Sequence, residues 1–207
     1  MSGICGVISK QDCAEKLFYG IDYHSHLGTE FGGIAMMDGE RFSRQIHEIA
    51  QSQFKSKFFE DLPGLKGNKG IGVISDSNEQ PIYLNTRFGP FCIVTMGLIE
   101  NADALVAELL AAGHSFAEMS STGPVNTTEL IARLITLGDD LADGIERMFE
   151  RIEGSCSLLI LNKDGIYAAR DRRGYTPLVI GKHADTYAVT SETSAFPNTD
   201  LKVVKFM

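Results

Sequence analysis

The most constraining feature of this sequence is that two blocks of short, apolar, β-type segments flank three consecutive amphipathic helices. Segments 4–9, 32–37, 71–74 and 91–97 form the first block, and the second block follows Gly154. Short apolar runs bounded by turn residues predict strands, and their close spacing in the second block is typical of antiparallel meanders. There is no internal repeat or low-complexity linker, so both blocks are expected to share one core. The sequence predicts one α+β domain over residues 1–207.

The helices are predicted from apolar side chains four residues apart. In segment 102–112, Leu105 with Leu109 and Val106 with Leu110 are expected to line one face, after a cap at Asn101. Thr127 or Thr128 is expected to cap the second helix, and the third helix ends before Gly154. A further helix is expected over residues 11–18, directly after the first strand.

Composition excludes several classes of function. Nineteen Lys and Arg against 27 Asp and Glu give a net charge of −8, which disfavours nucleic acid as a partner. No apolar run approaches the roughly 20 residues of a membrane-spanning helix, so no membrane partner is expected. The five histidines lack metal-ligand spacing, and neither a metal nor a cofactor is expected. The cysteines form no Cys-x-x-Cys pair, and no apolar leader is visible, which favours a cytoplasmic location. These cysteines are Cys5, Cys13, Cys92 and Cys156.

Two segments near the end of the chain carry a specific family resemblance. Residues 168–178 read AARDRRGYTPL, and residues 188–196 read AVTSETSAF. Together they resemble the paired hallmark of the class II glutamine amidotransferases, and the Ser-Glu-Thr ending resembles the amidophosphoribosyltransferase type within that class. The beginning agrees, since Cys5-Gly6-Val7-Ile8, HLGTEFGGI at 26–34 and NEQP at 78–81 resemble further motifs of the family.

The resemblance implies a fold and an activity. The fold is the N-terminal nucleophile hydrolase fold, a four-layer αββα sandwich of two antiparallel sheets. The activity is hydrolysis of glutamine to glutamate and ammonia, with the ammonia used to form phosphoribosylamine in purine synthesis. The implied partners are glutamine and either a phosphoribosyltransferase domain or a second copy of the chain. The downstream phosphoribosyltransferase domain is expected to be absent from residues 1–207.

The same resemblance assigns the catalytic groups. Cys5 is the candidate nucleophile, provided that residues 1–4 are removed so that its α-amine can act as the base. The alternative is that Cys5 is a small buried residue of the first strand. Gly97 is expected to offer its backbone N–H to the oxyanion, although both asparagines of the family's oxyanion motif are replaced here.

The expected glutamine pocket is degenerate. Ser75 stands where the family has a carboxylate-binding arginine, with Asp76 beside it, and Thr127 stands where the family has an ammonium-binding aspartate. Leu27 likewise replaces an arginine. Two alternatives to glutamine hydrolysis therefore stay open: a non-catalytic glutaminase-like scaffold or regulatory domain, and a nucleophile hydrolase that acts on another amide.

Two further motif residues are predicted to be structural. Arg170 and Asp171 are expected to form a partly buried ion pair that fixes the strand before the turn at Gly174. Glu192 is interpreted in the same way.

Overall fold

The structure is a computed structural model that describes residues 2–118, 120, 123 and 125–207. Within these residues it contains eleven strands and five α-helices. In chain order they are β1 (Gly3–Ile8), α1 (Ala14–Asp22), β2 (Phe31–Asp38), β3 (Arg41–Glu48), α2 (Phe54–Phe58), β4 (Lys69–Ser75), β5 (Ile82–Thr86), β6 (Gly89–Ile99), α3 (Ala102–Ala111), α4 (Thr127–Ile135), α5 (Leu141–Arg151), β7 (Gly154–Asn162), β8 (Gly165–Arg170), β9 (Val179–His183), β10 (Thr186–Thr190) and β11 (Lys202–Phe206).

The strands form two antiparallel sheets. The larger sheet has the order β11-β9-β10-β1-β4-β2-β3, and the smaller sheet has the order β5-β6-β7-β8. Strand β1 is central to the larger sheet, where Cys5 pairs with Gly72 of β4 on one side and with Thr190 of β10 on the other. The two blocks of strands predicted from the sequence therefore do meet in one sheet.

Three apolar cores hold the layers together. One core lies between α1, α2 and the outer face of the larger sheet, and includes Leu17 and Phe18. A second packs α3, α4 and α5 onto the smaller sheet, and a third, which includes Ile4 and Leu159, lies between the sheets. This is the predicted αββα sandwich, and the expectation is confirmed.

Several local predictions need correction. Asn126, rather than Thr127 or Thr128, caps α4, because its side-chain oxygen accepts hydrogen bonds from the backbone N–H groups of Thr128 and Glu129. Leu110 is 52% exposed, so the face of α3 that packs inward is narrower than expected. No residues were assigned to strands β3 and β5 from the sequence.

Asn101 precedes α3 as expected but makes no side-chain capping bond. Its amide nitrogen donates to the carbonyl of Arg151, and its amide oxygen accepts from the backbone N–H of Glu153. Asn101 thus joins the start of α3 to the end of α5.

The carboxylate of Asp171 organises the turn that follows β8, though not through the predicted ion pair. It accepts hydrogen bonds from the Ser155 hydroxyl and from the backbone N–H groups of Cys156, Arg173 and Gly174. The ion pairs of the described residues do not include one between Arg170 and Asp171. The reason is that local N–H groups, which need no long side chain to be ordered, occupy the carboxylate oxygens.

No helix in the part of the chain that the structure describes is long and apolar enough to cross a membrane.

Candidate functional site

Polar side chains collect where β1 begins. Because β1 is antiparallel to β4 and β10, its first residue, Gly3, lies opposite Ile74, near the end of β4. The backbone N–H of Ser191, which directly follows β10, donates to the carbonyl of Ile4. The loops that follow β4 and β10 therefore flank the beginning of β1.

The loop after β4 is folded on its own side chains. Ser75 is fully buried, and its hydroxyl accepts hydrogen bonds from the backbone N–H groups of Ser77 (3.3 Å) and Asn78 (3.2 Å). The amide nitrogen of Asn78 donates to the Thr127 hydroxyl at 2.8 Å, and its amide oxygen accepts from the Ser120 hydroxyl at 3.1 Å. Asn78 therefore connects the loop to the first turn of α4.

A second set of polar groups joins α4 to strand β6 and to the segment before β5. The side-chain oxygen of Gln80 accepts from the backbone N–H of Thr95 at 2.7 Å, and the hydroxyls of Thr95 and Thr128 share a hydrogen bond of 2.7 Å. These three residues are buried, and these polar groups form hydrogen bonds with one another.

Charged groups surround the site near the protein surface. The half-buried carboxylate of Asp76 accepts from the backbone N–H of Thr29 at 2.8 Å, which ties the 26–30 segment to the end of β4. His26 Nε2 lies 3.0 Å from a carboxylate oxygen of Glu192, whose side chain is 35% exposed. Glu192 thus contacts a histidine of the 26–30 segment.

Gly97 lies two residues beyond Thr95, on the same face of β6. Its φ of +137° is rarely adopted by residues with a side chain. A Cβ atom there would also lie 2.0 Å from the carbonyl oxygen of Ser155. Both the backbone conformation and the close contact require glycine at this position.

Cys5 lies on the face of the larger sheet that packs against α1. Its side chain is 1% exposed and belongs to the core formed with α1, where Sγ lies 2.8 Å from the position of a Cβ at Gly20. Burial, with a smaller contribution from Cys13, raises the pKa of the Cys5 thiol far above its ordinary value. The structure brings Ser75, Asp76 and Thr127 together through the 75–78 loop, but it does not bring Cys5 to them.

The other three cysteines are also buried. Burial raises the pKa values of Cys13, Cys92 and Cys156, each to about 12. At neutral pH these side chains are therefore thiols rather than thiolates, and they behave as small apolar groups.

His24 also lies in this region, although none of the five histidines was a candidate site residue from the sequence. It is fully buried, its Nδ1 donates to the carbonyl of Gly20 at 2.6 Å, and its ring packs against Gly3. Its Nε2 has no hydrogen-bond partner among the described residues. Burial is the main reason why the pKa of His24 is lowered, so the ring is neutral at pH 7. Nothing in its sequence pattern distinguishes it from the neighbouring His26.

In the described part of the chain, no three His, Cys, Asp or Glu side chains lie together in a way that could hold a metal ion. The site is built instead from hydroxyl, amide and backbone N–H groups, which bind uncharged and polar ligands through hydrogen bonds.

Comparisons with known proteins agree on what this fold resembles. A family model described as a glutamine amidotransferase domain matches residues 69–198. An amidophosphoribosyltransferase of Methanocaldococcus jannaschii is 32% identical over 99% of this chain and 45% of the relative. A glutamine–fructose-6-phosphate aminotransferase of Photorhabdus laumondii is 28% identical over 87% of this chain and 30% of the relative.

The structural comparison gives the same result. The solved structure of the glutamine phosphoribosylpyrophosphate amidotransferase of B. subtilis, in complex with ADP and GMP, matches with a TM-score of 0.88 and 26% identity. The match covers 99% of this chain and 45% of that chain. This chain therefore spans less than half the length of each of these relatives.

Proposed function

The chain belongs to the glutamine amidotransferase domain family, and from that membership we propose that it hydrolyses glutamine to glutamate and ammonia. We further propose that the ammonia serves a phosphoribosyltransferase domain, as in an amidophosphoribosyltransferase, where it would form phosphoribosylamine. The single observation that carries the proposal is the extent of the likeness. One amidophosphoribosyltransferase structure matches 99% of this chain with a TM-score of 0.88.

The site supports amide chemistry. Hydrolysis of a carboxamide passes through a tetrahedral intermediate whose oxygen carries negative charge, and backbone N–H groups stabilise such an oxygen. We assign this role to Gly97, because glycine alone permits the backbone conformation that β6 adopts there. Asn78 and Thr127, which are bonded to each other, offer the amide and hydroxyl groups that a polar substrate requires.

The substrate's charged ends would be held differently from the way the family resemblance implies. Ser75 is used to close the 75–78 loop, since its hydroxyl accepts two backbone N–H groups. Asp76 is the carboxylate of this loop and is half-buried, so we assign it to the substrate's ammonium group. Thr127 is bonded to Asn78 and would contact the substrate only through its remaining hydrogen-bonding capacity.

A direct test is to incubate the purified protein with glutamine and to measure glutamate and ammonia, with asparagine as the matched control substrate. We expect release from glutamine only. Gly97→Ala is expected to lower the rate by about 10²–10³-fold, because a Cβ against the Ser155 carbonyl displaces the N–H donor. Gly89→Ala is the control, since Gly89 also has a positive φ but has open space around its Cβ position.

The acceptor of the ammonia is tested separately. The protein would be mixed with the phosphoribosyltransferase domain of a relative and with phosphoribosyl pyrophosphate, and glutamine-dependent release of pyrophosphate would be followed. Release that ammonium salts support but glutamine does not would contradict the proposed supply of ammonia. Absence of glutamate formation in the first assay would contradict glutamine hydrolysis itself.

A further inference from the structure

The larger sheet extends beyond the smaller sheet on the side of β9 and β11. At one edge of the smaller sheet, β5 lies over β3, where the rings of Phe42 and Tyr83 contact each other. At the other edge, β8 lies over β1, because a Cβ at Gly6 would be 3.4 Å from Cδ1 of Ile166. In the larger sheet β10, β9 and β11 follow β1 in that order. The outermost strands, β9 and β11, therefore lie beyond the edge formed by β8.

The uncovered part of this face carries lysine and tyrosine side chains. Ile180 of β9 packs against the core between the sheets, so Lys182, two residues further along β9, points to the same side. Lys182 pairs with Tyr187 of β10 and with Lys202 of β11, and Ile180 pairs with Lys205 of β11. Directly opposite residues share one face of a sheet. The three lysines are exposed and Tyr187 is 42% exposed, and we call these four side chains the lysine face.

The lysine face is cationic in a protein whose net charge is −8. Lys182 and Lys202 lie directly opposite each other, and like charges in this arrangement disfavour strand pairing. Lys182 Nζ lies over the ring of Tyr187, 4.8 Å from its centroid. Asp185, in the turn between β9 and β10, forms an ion pair of 3.2 Å with Lys10. An anionic partner would relieve the repulsion between the two opposed lysines.

The edge of β8 beside the lysine face offers backbone hydrogen-bonding groups. Strand β8 pairs with β7 on one side, and within the described residues no strand pairs with its other side. In an antiparallel pair, the N–H and C=O groups of every second residue point away from the partner strand. Such an open edge is a template for pairing with an extended segment of another chain.

We propose that an extended acidic segment of a partner protein binds here, adding to β8 as a further strand of the smaller sheet and placing its carboxylates over the lysine face. Neighbouring strands are about 4.8 Å apart and packed sheets about 10 Å apart, so a strand beside β8 would lie above β10. Lys182 Nζ lies over the Tyr187 ring of β10 and would face this strand. Every second side chain of the added strand points inward, so alternate acidic residues would meet the lysines.

The lysine face is separate from the polar site described above. Tyr187 pairs with Ile8, at the end of β1, whereas the polar side chains collect where β1 begins. Binding of an acidic segment is therefore a property of its own, and its test requires no glutamine hydrolysis.

Fluorescence anisotropy with a synthetic peptide tests the proposal. The probe is a fluorescein-labelled heptapeptide of alternating threonine and glutamate, titrated with the intact protein. We expect saturable binding in about 50 mM salt that weakens as the salt is raised to about 300 mM. A peptide with lysine in place of glutamate is expected not to bind. A peptide methylated on alternate backbone nitrogens is expected to bind at least about tenfold more weakly, because it cannot donate hydrogen bonds to the edge of β8.

Two pairs of substitutions separate the lysine face from the net charge. Lys182→Glu combined with Lys202→Glu is expected to weaken binding at least about tenfold. Lys57→Glu combined with Lys66→Glu changes the net charge by the same amount at exposed lysines outside the lysine face. This control is expected to change the affinity by less than about twofold. All four lysines are exposed, so both proteins are expected to keep the fold, which circular dichroism checks.

Four results would overturn the proposal. Absence of saturable binding by the wild type up to about 1 mM would exclude an acidic strand as the occupant. Equal weakening by the two pairs of substitutions would place the peptide elsewhere. Equal binding of the methylated peptide would show general attraction of anions rather than strand addition. A wild-type dimer in sedimentation experiments that Lys182→Glu with Lys202→Glu dissociates would assign the lysine face to a second copy of this chain.

Discussion

At Asp171 a single carboxylate accepts four hydrogen bonds, and its protonation is therefore linked to stability. Burial alone would raise its pKa, but the hydrogen bonds from Ser155 and from the backbone N–H groups of Gly174, Cys156 and Arg173 outweigh burial and lower it. Since the folded pKa lies below the ordinary value, the stabilisation is complete above that value and is lost as the pH falls through the folded pKa.

We expect Asp171→Asn to lower the free energy of unfolding by about 1.5–3 kcal/mol at pH 7, because hydrogen bonds to a charged group are lost. The deficit should shrink as the pH is lowered from about 5 to about 2, where the wild-type carboxylate also becomes neutral. Urea unfolding followed by circular dichroism at several pH values measures both effects. Asp185→Asn is the control, because Asp185 pairs with Lys10 on the exposed surface and should change stability by less than about 1 kcal/mol. A deficit that is equal at all pH values would contradict the linkage.

Individual residues also show where sequence analysis reaches its limit. The motif resemblance pointed to Ser75, Asp76 and Thr127 as pocket positions, and the structure joins Ser75 and Thr127 through Asn78. The sequence could not show which layer Cys5 faces. Two-residue alternation separates the two faces of a strand, but it does not say what covers each face. His24 escaped notice for a similar reason, since its burial depends on the contact between Gly3 and the segment that follows α1.

At the scale of secondary structure elements, the predictions were accurate where local patterns were strong. The central helices and the apolar strands have the expected places, with ends that differ by a few residues. Strand β3 was missed because its sequence, RFSRQIHE, is polar and lies at the edge of the larger sheet, so pairing with β2 alone defines it. Strand β5 is also an edge strand, so pairing with β6 alone defines it.

Helix α4 depends on Asn126 in two ways. Its side-chain oxygen accepts from the backbone N–H groups of Thr128 (2.9 Å) and Glu129 (3.4 Å), and its amide nitrogen donates to the carbonyl of Glu79 (2.9 Å). The first interaction begins the helix, and the second holds the segment that follows Asn78 against it. Asn126 is fully buried, so lost hydrogen bonds would leave unsatisfied groups.

We therefore expect Asn126→Ala to lower the free energy of unfolding by about 1–3 kcal/mol, since both the cap and the bond to Glu79 are removed. Asn126→Asp keeps the capping oxygen but cannot donate to the Glu79 carbonyl, and its charge is favourable at a helix N-terminus. It should fall between the wild type and Asn126→Ala in urea unfolding. If Asn126→Asp were as unstable as Asn126→Ala, the contribution of the cap would be refuted.

At the scale of the whole molecule, the inter-sheet core makes the two sheets one cooperative unit. Leu159 of β7 is fully buried in this core and lies against Gly6 of β1, so it belongs to the smaller sheet but also stabilises the larger one. The strands of the larger sheet come from both ends of the chain, and β1 lies between β10 and β4. The larger sheet can therefore form only after distant segments have been brought together.

We expect Leu159→Ala to lower the free energy of unfolding by about 2–5 kcal/mol, as for other large-to-small substitutions in a core. If the sheets unfold together, hydrogen exchange of the most protected amides should accelerate by the same factor in β1 and β4 as in β6 and β7. Leu98→Ala is the matched control, because Leu98 is 68% exposed and its truncation should change stability by less than about 0.5 kcal/mol. Faster exchange confined to the smaller sheet would show that the layers open independently. In that event the polar site at the start of β1 could be disrupted without unfolding of the larger sheet, and its geometry would depend on the smaller sheet and α4 alone.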